Sequence, residues 1–397
     1  MKHGFVKVAA ITPNIKVADC EYNVNEIIHR IEEARQKGAM VILCPELCVT
    51  GYTCQDLFLQ NTLLKGALDG LTKLIEYSKD IDALIAVGLP FLKDGNLFNV
   101  AAVLYQGELL GMVPKRNIPN YSEFYEARHF RRGNDIVEYV TINHKKVPFG
   151  SNLIFCHREI PNLKVGIEIC EDLWVPQPPS GGLCEAGATI ILNLSASNET
   201  TGKDIYRKTL VSNQSARLVC GYLYASAGEG ESTTDLVFSG HNMIAENGTV
   251  IAESERFVNG VIVSEVDLEK LISERRRIST YLVEEKKEYT YLEYGSTSDE
   301  NNTTYDFELE LTRFIDKAPF VPSNKEEREK RCNEIIHIQA LGLKKRIQHI
   351  GAKSVVLGIS GGLDSTLAIL VAKRAFDMLG LDPKGIIAVT MPCFGTT

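Results

Sequence analysis

Short apolar runs alternate with helical periodicity along the first two thirds of the chain. The β-rich run at residues 5–12 and the apolar run at 41–44 predict buried strands. Between them, apolar residues recur every three or four positions over residues 23–37, which predicts an amphipathic helix that ends at Gly38. Further strands are predicted at 83–88, 99–105, 109–113, 165–169, 189–194 and 261–266, and helices at 57–79 and 204–219. This alternation favours an α/β domain whose mixed sheets are buried under helices.

The last part of the chain repeats the alternation after an acidic stretch. Residues 281–310 hold nine acidic residues against two lysines, which is typical of an exposed linker. Beyond it, the pattern predicts a helix at 325–350, a strand at 354–359, a helix at 363–379 and a strand at 385–390. This strand–helix–strand unit is the opening of a second α/β domain.

Composition narrows the class of protein. A chain of 397 residues exceeds the length at which one core normally stops growing, which favours two domains. With 44% apolar and 24% charged residues, and no apolar stretch longer than residues 84–92, we expect a soluble protein with no membrane partner. A net charge of −8 without a basic patch argues against a nucleic-acid partner. Ten cysteines without regular spacing indicate reduced thiols and a cytoplasmic location.

Three residues with catalytic chemistry each follow a different apolar strand, namely Glu46, Lys115 and Cys170. Taken singly, each is more simply explained as a surface charge or a packed thiol. Because the ends of neighbouring strands converge at one edge of an α/β layer, we expect the three side chains to face one pocket. There a carboxylate could take the thiol proton, the thiolate could attack a carbonyl carbon, and the ammonium could stabilise the oxyanion.

The segments around these residues resemble the three signatures of the nitrilase, or carbon–nitrogen hydrolase, superfamily. Their sequences are similar to those of the glutaminase domain of glutamine-dependent NAD synthetases. The segments are residues 45–52 (PELCVTGY), 115–126 (KRNIPNYSEFYE) and 166–174 (GIEICEDLW). The resemblance implies a four-layer α-β-β-α nitrilase-like sandwich.

The resemblance also implies roles for single residues. Glu46 would be the general base, Lys115 the oxyanion stabiliser and Cys170 the nucleophile. A further family glutamate that orients the triad falls at Glu123, with Glu126 as the alternative in the same segment. Four further residues are suggested as neighbours of a bound glutamine: Tyr52, Tyr121, Glu171 and Ser197.

A glycine loop, residues 360–365 (SGGLDS), follows the strand predicted at 354–359. Paired glycines let backbone amides approach phosphate oxygens, and the N-terminus of the following helix favours anions. The loop lacks the lysine of a Walker A motif, and a tight turn that caps a helix is the simpler alternative.

The whole loop resembles the pyrophosphate loop of ATP pyrophosphatases, which implies an ATP site. Asp364 would hold Mg²⁺, and Met391-Pro392 resembles the segment beside the adenine. The residues implied for ATP binding are Ser360, Gly361, Gly362, Asp364, Ser365 and Met391.

Together the two resemblances imply one ligase activity. Glutamine would be hydrolysed to ammonia without a cofactor, and the ammonia would amidate deamido-NAD⁺ to NAD⁺ at the expense of ATP, with Mg²⁺, giving AMP and diphosphate. The expected partners are these small molecules and, as in the family, further copies of the chain in a homo-oligomer.

We expect a glutaminase domain at 1–275, an acidic linker at 276–324 and, at 325–397, the first part of a Rossmann-like ATP-pyrophosphatase domain. The family's synthetase domain continues well beyond such a loop. The chain is therefore expected to carry a complete glutaminase half but not to make NAD⁺, even with free ammonia.

Two alternatives stay open. A stand-alone nitrilase-type amidase that acts on another small amide would explain Glu46, Lys115 and Cys170 but not the glycine loop. A non-enzymatic binding module would usually have lost a catalytic residue, and all three are present.

Overall fold

Two β-sheets form the centre of the first unit of the chain, which ends at Arg313. The computed structural model describes residues 4–295 and 309–391. Three parts of the sequence predictions lie outside the described residues: the linker acids at 299–308, Pro392 of the adenine segment, and Thr397. The strands of the first unit are β1 (Phe5–Ile11), β2 (Val41–Leu43), β3 (Leu84–Lys93), β4 (Asn96–Tyr105), β5 (Glu108–Pro114), β6 (Glu138–Ile142), β7 (Lys145–Phe149), β8 (Leu153–His157), β9 (Lys164–Ile169), β10 (Ile190–Ser195), β11 (Gly221–Ser226), β12 (Met243–Glu246), β13 (Thr249–Glu253), β14 (Val261–Asp267) and β15 (Thr290–Tyr294).

Both sheets are mixed. The first has the strand order β14-β1-β2-β3-β4-β5-β7-β6, and the second has the order β13-β12-β11-β10-β9-β8-β15. Strands β1, β2 and β3 run parallel, as do β9, β10 and β11, whereas β3–β4 and β11–β12 are antiparallel pairs. One apolar core lies between the sheets and joins Val8 and Leu84 of the first sheet to Val165 and Leu192 of the second.

Helices cover the outer faces of both sheets. They are α1 (Cys20–Gln36), α2 (Asn61–Tyr77), α3 (Pro179–Glu185) and α4 (Lys203–Leu218). A fifth helix, α5 (Leu268–Arg277), instead adds Leu268 and Leu271 to the core between the sheets. Helices α1 and α2 share a core with the first sheet, and α3 and α4 share one with the second. The layer order is therefore α-β-β-α, and the predicted fold class is confirmed.

Local sequence explains both ends of α1. Asp19 accepts a hydrogen bond from Tyr22 N at 3.1 Å, so the helix begins at Cys20 rather than at residue 23. Gly38 has φ +82°, a left-handed conformation that glycine adopts at little cost, and the helix ends just before it.

The stretch expected to be an exposed linker contributes a strand. Strand β15 pairs in parallel with β8, from Thr290 opposite Leu153 to Tyr294 opposite His157. The Tyr294 ring is buried and packs edge-to-face on Tyr105, with ring centroids 5.1 Å apart. The β-branched and aromatic residues of β15 form a strand despite their acidic neighbours because the edge of β8 is there to pair with.

Two helices and two parallel strands form the described part of the second unit. They are α6 (Lys325–Ile350), β16 (Val355–Gly358), α7 (Leu363–Leu379) and β17 (Ile386–Val389). Both helices have the bounds that the apolar periodicity predicts. They pack on each other through small and apolar residues, among them Ala340, Ile347, Ala375 and Phe376. No helix within residues 4–295 and 309–391 is long and apolar enough to cross a membrane.

Candidate active site

Glu46, Lys115 and Cys170 come together between the two sheets. Lys115 and Cys170 directly follow β5 and β9, and Glu46 lies just beyond β2. Glu46 and Lys115 are at most 1% exposed and Cys170 is 6% exposed. The backbone joins the two sheets here, because Glu46 N donates to Ser195 O of β10 at 3.3 Å.

Lys115 lies between two carboxylates. Its Nζ donates to Glu46 Oε1 at 2.6 Å and to both oxygens of Glu126, at 2.7 and 2.9 Å. Burial alone would lower the pKa of Lys115, but the carboxylates of Glu126 and Glu46 raise it well above its ordinary value. The side chain is therefore a fixed cation inside the protein.

Glu46 has one occupied oxygen and one without a hydrogen-bond partner. Oε1 accepts from Lys115 and from Asn99 Nδ2 at 2.6 Å. Oε2 is buried and has no such partner within the described part of the chain. Burial raises the pKa of Glu46 above its ordinary value, although Lys115 opposes this effect. Oε2 is thus an acceptor with a strengthened affinity for a proton.

Cys170 occupies a turn between β9 and a short 3-10 helix, Cys170–Leu173. Its φ is +45°, a left-handed conformation that is costly for a side chain with a Cβ atom. Asp172 fastens the turn, since it accepts from Ile169 N at 3.0 Å and from Asn117 N at 2.8 Å. Burial, followed by the charge of Glu46, raises the pKa of the Cys170 thiol, so it is protonated at rest and needs a base.

The structure places Glu126, and not Glu123, against Lys115. Tyr52 Oη donates to Glu126 Oε1 at 2.8 Å, which fixes the carboxylate from the other side. Glu123 instead accepts from Asn198 Nδ2 at 2.6 Å. The two glutamates lie in one loop, and only the 3-10 turn that begins at Glu126 directs its side chain inwards.

Tyr121, Glu171 and Ser197 lie around the same site. The Tyr121 hydroxyl is 3.0 Å from both carboxylate oxygens of Glu171, and the Tyr121 side chain is half exposed. Ser197 is buried, and its backbone N donates to Ser226 Oγ at 3.4 Å. Burial raises the pKa of Glu171.

Lys203 is a site residue that the sequence reasoning missed. Its Nζ donates to Asn198 Oδ1 and lies 5.3 Å from the ring centroid of Trp174 and 5.7 Å from that of Phe124. Burial lowers the pKa of Lys203, and a thiolate at Cys170 would oppose this effect. A lysine at the first position of a helix is electrostatically unfavourable, but the sequence predicts a helix that begins only at residue 204, so this signal appears only with the structure.

The predicted ATP residues lie in the second unit. Gly361 has φ +82°, Ser360 Oγ accepts from Gly362 N at 3.3 Å, and Ser365 lies in the first turn of α7. Because β16 and β17 are parallel neighbours, the loop after β16 and Met391 after β17 share one edge of the sheet.

Asp364 is the carboxylate of this loop, at the start of α7. Within residues 4–295 and 309–391, no group of three or more histidine, cysteine, aspartate or glutamate side chains could hold a metal ion. Mg²⁺ usually takes one or two carboxylates together with substrate phosphates. Asp364 therefore fits an ion that arrives bound to a phosphate.

Two known families match separate parts of the chain. Residues 7–276 match the carbon–nitrogen hydrolase family, and residues 335–397 match the NAD synthase family.

Curated relatives match the chain over its whole length. A glutamine-dependent NAD(+) synthetase of Mycobacterium tuberculosis is 38% identical over 404 residues, covering 100% of this chain and 58% of the relative. One from Thermotoga maritima is 28% identical and is covered over 62% of its length. The chain thus spans about three fifths of the length of these relatives.

Solved structures share the fold. A glutamine-dependent NAD(+) synthetase from Cytophaga hutchinsonii superposes with a TM-score of 0.60 at 21% identity, over 99% of this chain and 61% of that one. A Nesterenkonia amidase of the nitrilase superfamily has a TM-score of 0.54 at 17% identity and covers 70% of this chain. On the match of residues 7–276, the chain belongs to the carbon–nitrogen hydrolase family, and an NAD synthase segment follows at residues 335–397.

Proposed function

We propose that the first unit is a cysteine glutaminase. Cys170 Sγ attacks the side-chain amide carbon of glutamine while the thiol proton passes to Glu46 Oε2. The proton then goes to the leaving nitrogen, the C–N bond breaks, and ammonia leaves a glutamyl thioester. Glu46 next takes a proton from water, whose oxygen attacks the thioester carbon. The C–S bond then breaks, the proton on Glu46 returns to the sulfur of Cys170, and the product glutamate leaves.

The observation that carries this proposal is the state of Glu46. Its Oε1 is held by Lys115 and Asn99, and its buried Oε2 is left without a partner among the described residues, which suits it to accept the thiol proton. The ammonium of Lys115 uses one N–H for Glu46 and can share another between the two oxygens of Glu126. One donor then remains for the oxyanion.

Two charged side chains near Cys170, those of Lys203 and Glu171, support glutamine as the substrate. We propose that Lys203 binds the α-carboxylate and that Glu171, held by Tyr121, receives the α-ammonium group, with Tyr52 and Ser197 lining the pocket. An uncharged amide has neither group to offer, so the half-buried ammonium of Lys203 would gain no carboxylate partner from it. The names of the curated relatives, all glutamine-dependent enzymes, also support glutamine.

We propose that the ammonia is used by a synthetase domain, and that the glycine loop is part of this domain. ATP phosphates would meet the backbone of Ser360, Gly361 and Gly362 and the hydroxyl of Ser365, with Met391 beside the adenine and Asp364 on a phosphate-bound Mg²⁺. The supported reaction is ATP-dependent amidation of deamido-NAD⁺, by likeness to relatives that are NAD(+) synthetases.

Further features of the proposal concern organisation. We retain 1–275 as the glutaminase, 276–324 as the connection and 325–397 as the synthetase segment, although the first compact unit extends to Arg313. Part of the connection packs on the glutaminase, because β15 pairs with β8. A cytoplasmic homo-oligomer, with no cofactor for the glutaminase half, completes the proposal.

A substrate panel tests the glutaminase. The chain is incubated with glutamine and with a small amide of similar length that lacks the α-amino and α-carboxylate groups, while ammonia release and the intact mass of the protein are measured. We expect a preference for glutamine of about 100-fold or more in kcat/KM and a glutamyl adduct on Cys170. Equal turnover of both amides would favour the stand-alone amidase, which the Nesterenkonia structure represents by fold.

A pair of glutamine substitutions tests which glutamate orients the triad. Glu126→Gln removes the charge that faces Lys115 and should lower kcat by roughly 10- to 100-fold, the value of a hydrogen bond to a charged group. Glu123→Gln, the matched control from the same loop, should leave kcat nearly unchanged and alter KM instead. The reverse pattern would assign the orienting role to Glu123.

The pH dependence should report the ionisation of Glu46. The base must be ionised to accept the thiol proton, and burial raises its pKa, so activity should fall on the acid side at a higher pH than an ordinary glutamate would give. Below that pKa, kcat/KM should decrease up to about tenfold per pH unit. A profile of kcat/KM that stays flat down to about pH 5 would contradict this role of Glu46.

A further inference from the structure

Buried hydrogen bonds connect the backbone of Cys170 to the side chain of Glu168. Cys170 N donates to Asn193 Oδ1 at 3.2 Å. Asn193 Nδ2 donates to Tyr222 Oη at 3.1 Å, and Tyr222 Oη donates to Glu168 Oε1. The three side chains are at most 1% exposed and lie on the adjacent strands β9, β10 and β11. None of them takes part in the chemistry proposed above.

The donors and acceptors in this series of hydrogen bonds can be assigned. Asn193 Oδ1 also accepts from Ser195 Oγ at 2.7 Å, so Nδ2 is the atom that faces Tyr222. The Tyr222 hydroxyl accepts from that amide and has a single proton to donate, which goes to Glu168 Oε1. Glu168 Oε2 accepts from Ser180 N at 2.8 Å. An ionised carboxylate, with two acceptors and no donor, fits both contacts.

Glu168 is a costly group at this position. It is 1% exposed, and burial raises its pKa to about 7, against the lowering effect of the Tyr222 hydrogen bond. An apolar side chain at 168 would avoid the cost of burying an acid in the core. A buried acid of this kind next to a nucleophile is typical of functional sites.

Cys170 needs external contacts to keep its conformation. A non-glycine residue at φ +45° is strained, and this conformation persists only when its surroundings hold it. The hydrogen bond from Cys170 N to Asn193 is one of the contacts that hold it. If Asn193 turned, the backbone could relax towards ordinary φ values and the thiol would point elsewhere.

We propose that Glu168 is a positioning residue that acts through Tyr222 and Asn193 to fix the backbone of Cys170 and thereby the direction of its thiol. The expected effect of Glu168 on turnover rests on the proposed glutaminase function. The expected effect of Glu168 on the thiol does not, because the direction and accessibility of Cys170 Sγ can be measured without glutamine.

Four variants of the full chain test it: Glu168→Gln, Tyr222→Phe, the double variant, and Tyr105→Phe as the control. Glu168→Gln places an amide N–H₂ group opposite one of the two donors that now bond to Glu168, Tyr222 Oη or Ser180 N, so one hydrogen bond is lost. Tyr222→Phe removes only the hydroxyl. Tyr105 is a buried tyrosine that also donates to a carboxylate, Asp82 Oδ1, at 2.5 Å. It lies about 20 Å along β4 from Asn99, which contacts Glu46.

We measure kcat and KM for glutamine, the rate at which iodoacetamide alkylates Cys170, and the thermal unfolding midpoint. Each single variant should lower kcat by about 10- to 100-fold with KM changed less than about twofold, and should change the alkylation rate. The double variant should lose no more than the larger single effect, because both act through one chain of contacts. Tyr105→Phe should match the wild type in kcat and alkylation.

Three outcomes would overturn the inference. The first is that Glu168→Gln and Tyr222→Phe have the same kcat and alkylation rate as Tyr105→Phe. The second is that the losses of kcat in the two single variants add up in the double variant, and the third is that the loss of kcat in each variant is explained by its lower unfolding midpoint alone. If Glu168→Gln does not fold, Tyr222→Phe decides by the same two rates. A wild type that is alkylated at Cys170 but releases no ammonia from glutamine would refute the glutaminase, while the alkylation rates would still decide the role of Glu168.

Discussion

Replacing Cys170 with alanine should abolish glutamine hydrolysis and leave the fold of the first unit intact. The thiol is the only nucleophile that the protein supplies in the proposed reaction, so turnover should drop to below about a thousandth of the wild-type value. Removing one sulfur atom from a residue that is 6% exposed leaves only a small cavity, which typically costs about 1 kcal/mol. Ammonia release and chemical unfolding of the purified variant measure both effects.

Cys184→Ala is the matched control for this experiment. Cys184 is a buried thiol of α3 with no place in the proposed mechanism, so it should lose a similar amount of stability and keep its turnover. Residual hydrolysis by purified Cys170→Ala above about a thousandth of the wild-type turnover would count against Cys170 as the nucleophile.

Replacing Lys115 with methionine should cost both activity and stability. Methionine keeps most of the packing of the stem, but Glu46 and Glu126 then face each other in the core without a cation. Removing one partner of a buried ion pair typically costs 3–5 kcal/mol, and the oxyanion loses its donor, which costs a further factor of roughly 100–1,000 in kcat. Denaturant unfolding and steady-state kinetics separate the two losses.

The pH dependence of that variant has a definite sign. Without Lys115, burial and mutual repulsion hold the pKa of at least one of the two carboxyls above its value in the unfolded chain. The folded state then binds more protons than the unfolded state at intermediate pH, so the stability of the variant should fall as pH rises from about 5 to 8. Lys65→Met, which breaks an exposed pair with Asp69, should lose less than about 1 kcal/mol at either pH. A Lys115→Met variant as stable as this control would contradict the burial of the ion pair.

The sequence by itself determined the alternation of strands and helices and the chemistry of the site, although β6, β7, β8, β11, α3 and α5 were not predicted. Helices α6 and α7 have their predicted bounds because the apolar periodicity is uninterrupted and glycines follow both ends. Glu46, Lys115 and Cys170 were marked by their positions after apolar strands, which is a local property. The glycine loop was likewise predicted from six consecutive residues.

Only the tertiary structure decided which side chains meet. The choice between Glu123 and Glu126 depends on a 3-10 turn that lets one glutamate reach Lys115 while the other meets Asn198, 75 residues away. Strand β15 forms because β8 offers an edge, although the local composition indicates a linker. Long-range pairings of this kind arise from packing between distant elements and leave no periodic trace. The contacts of Lys203 and the connection from Glu168 to Cys170 were hidden for that reason.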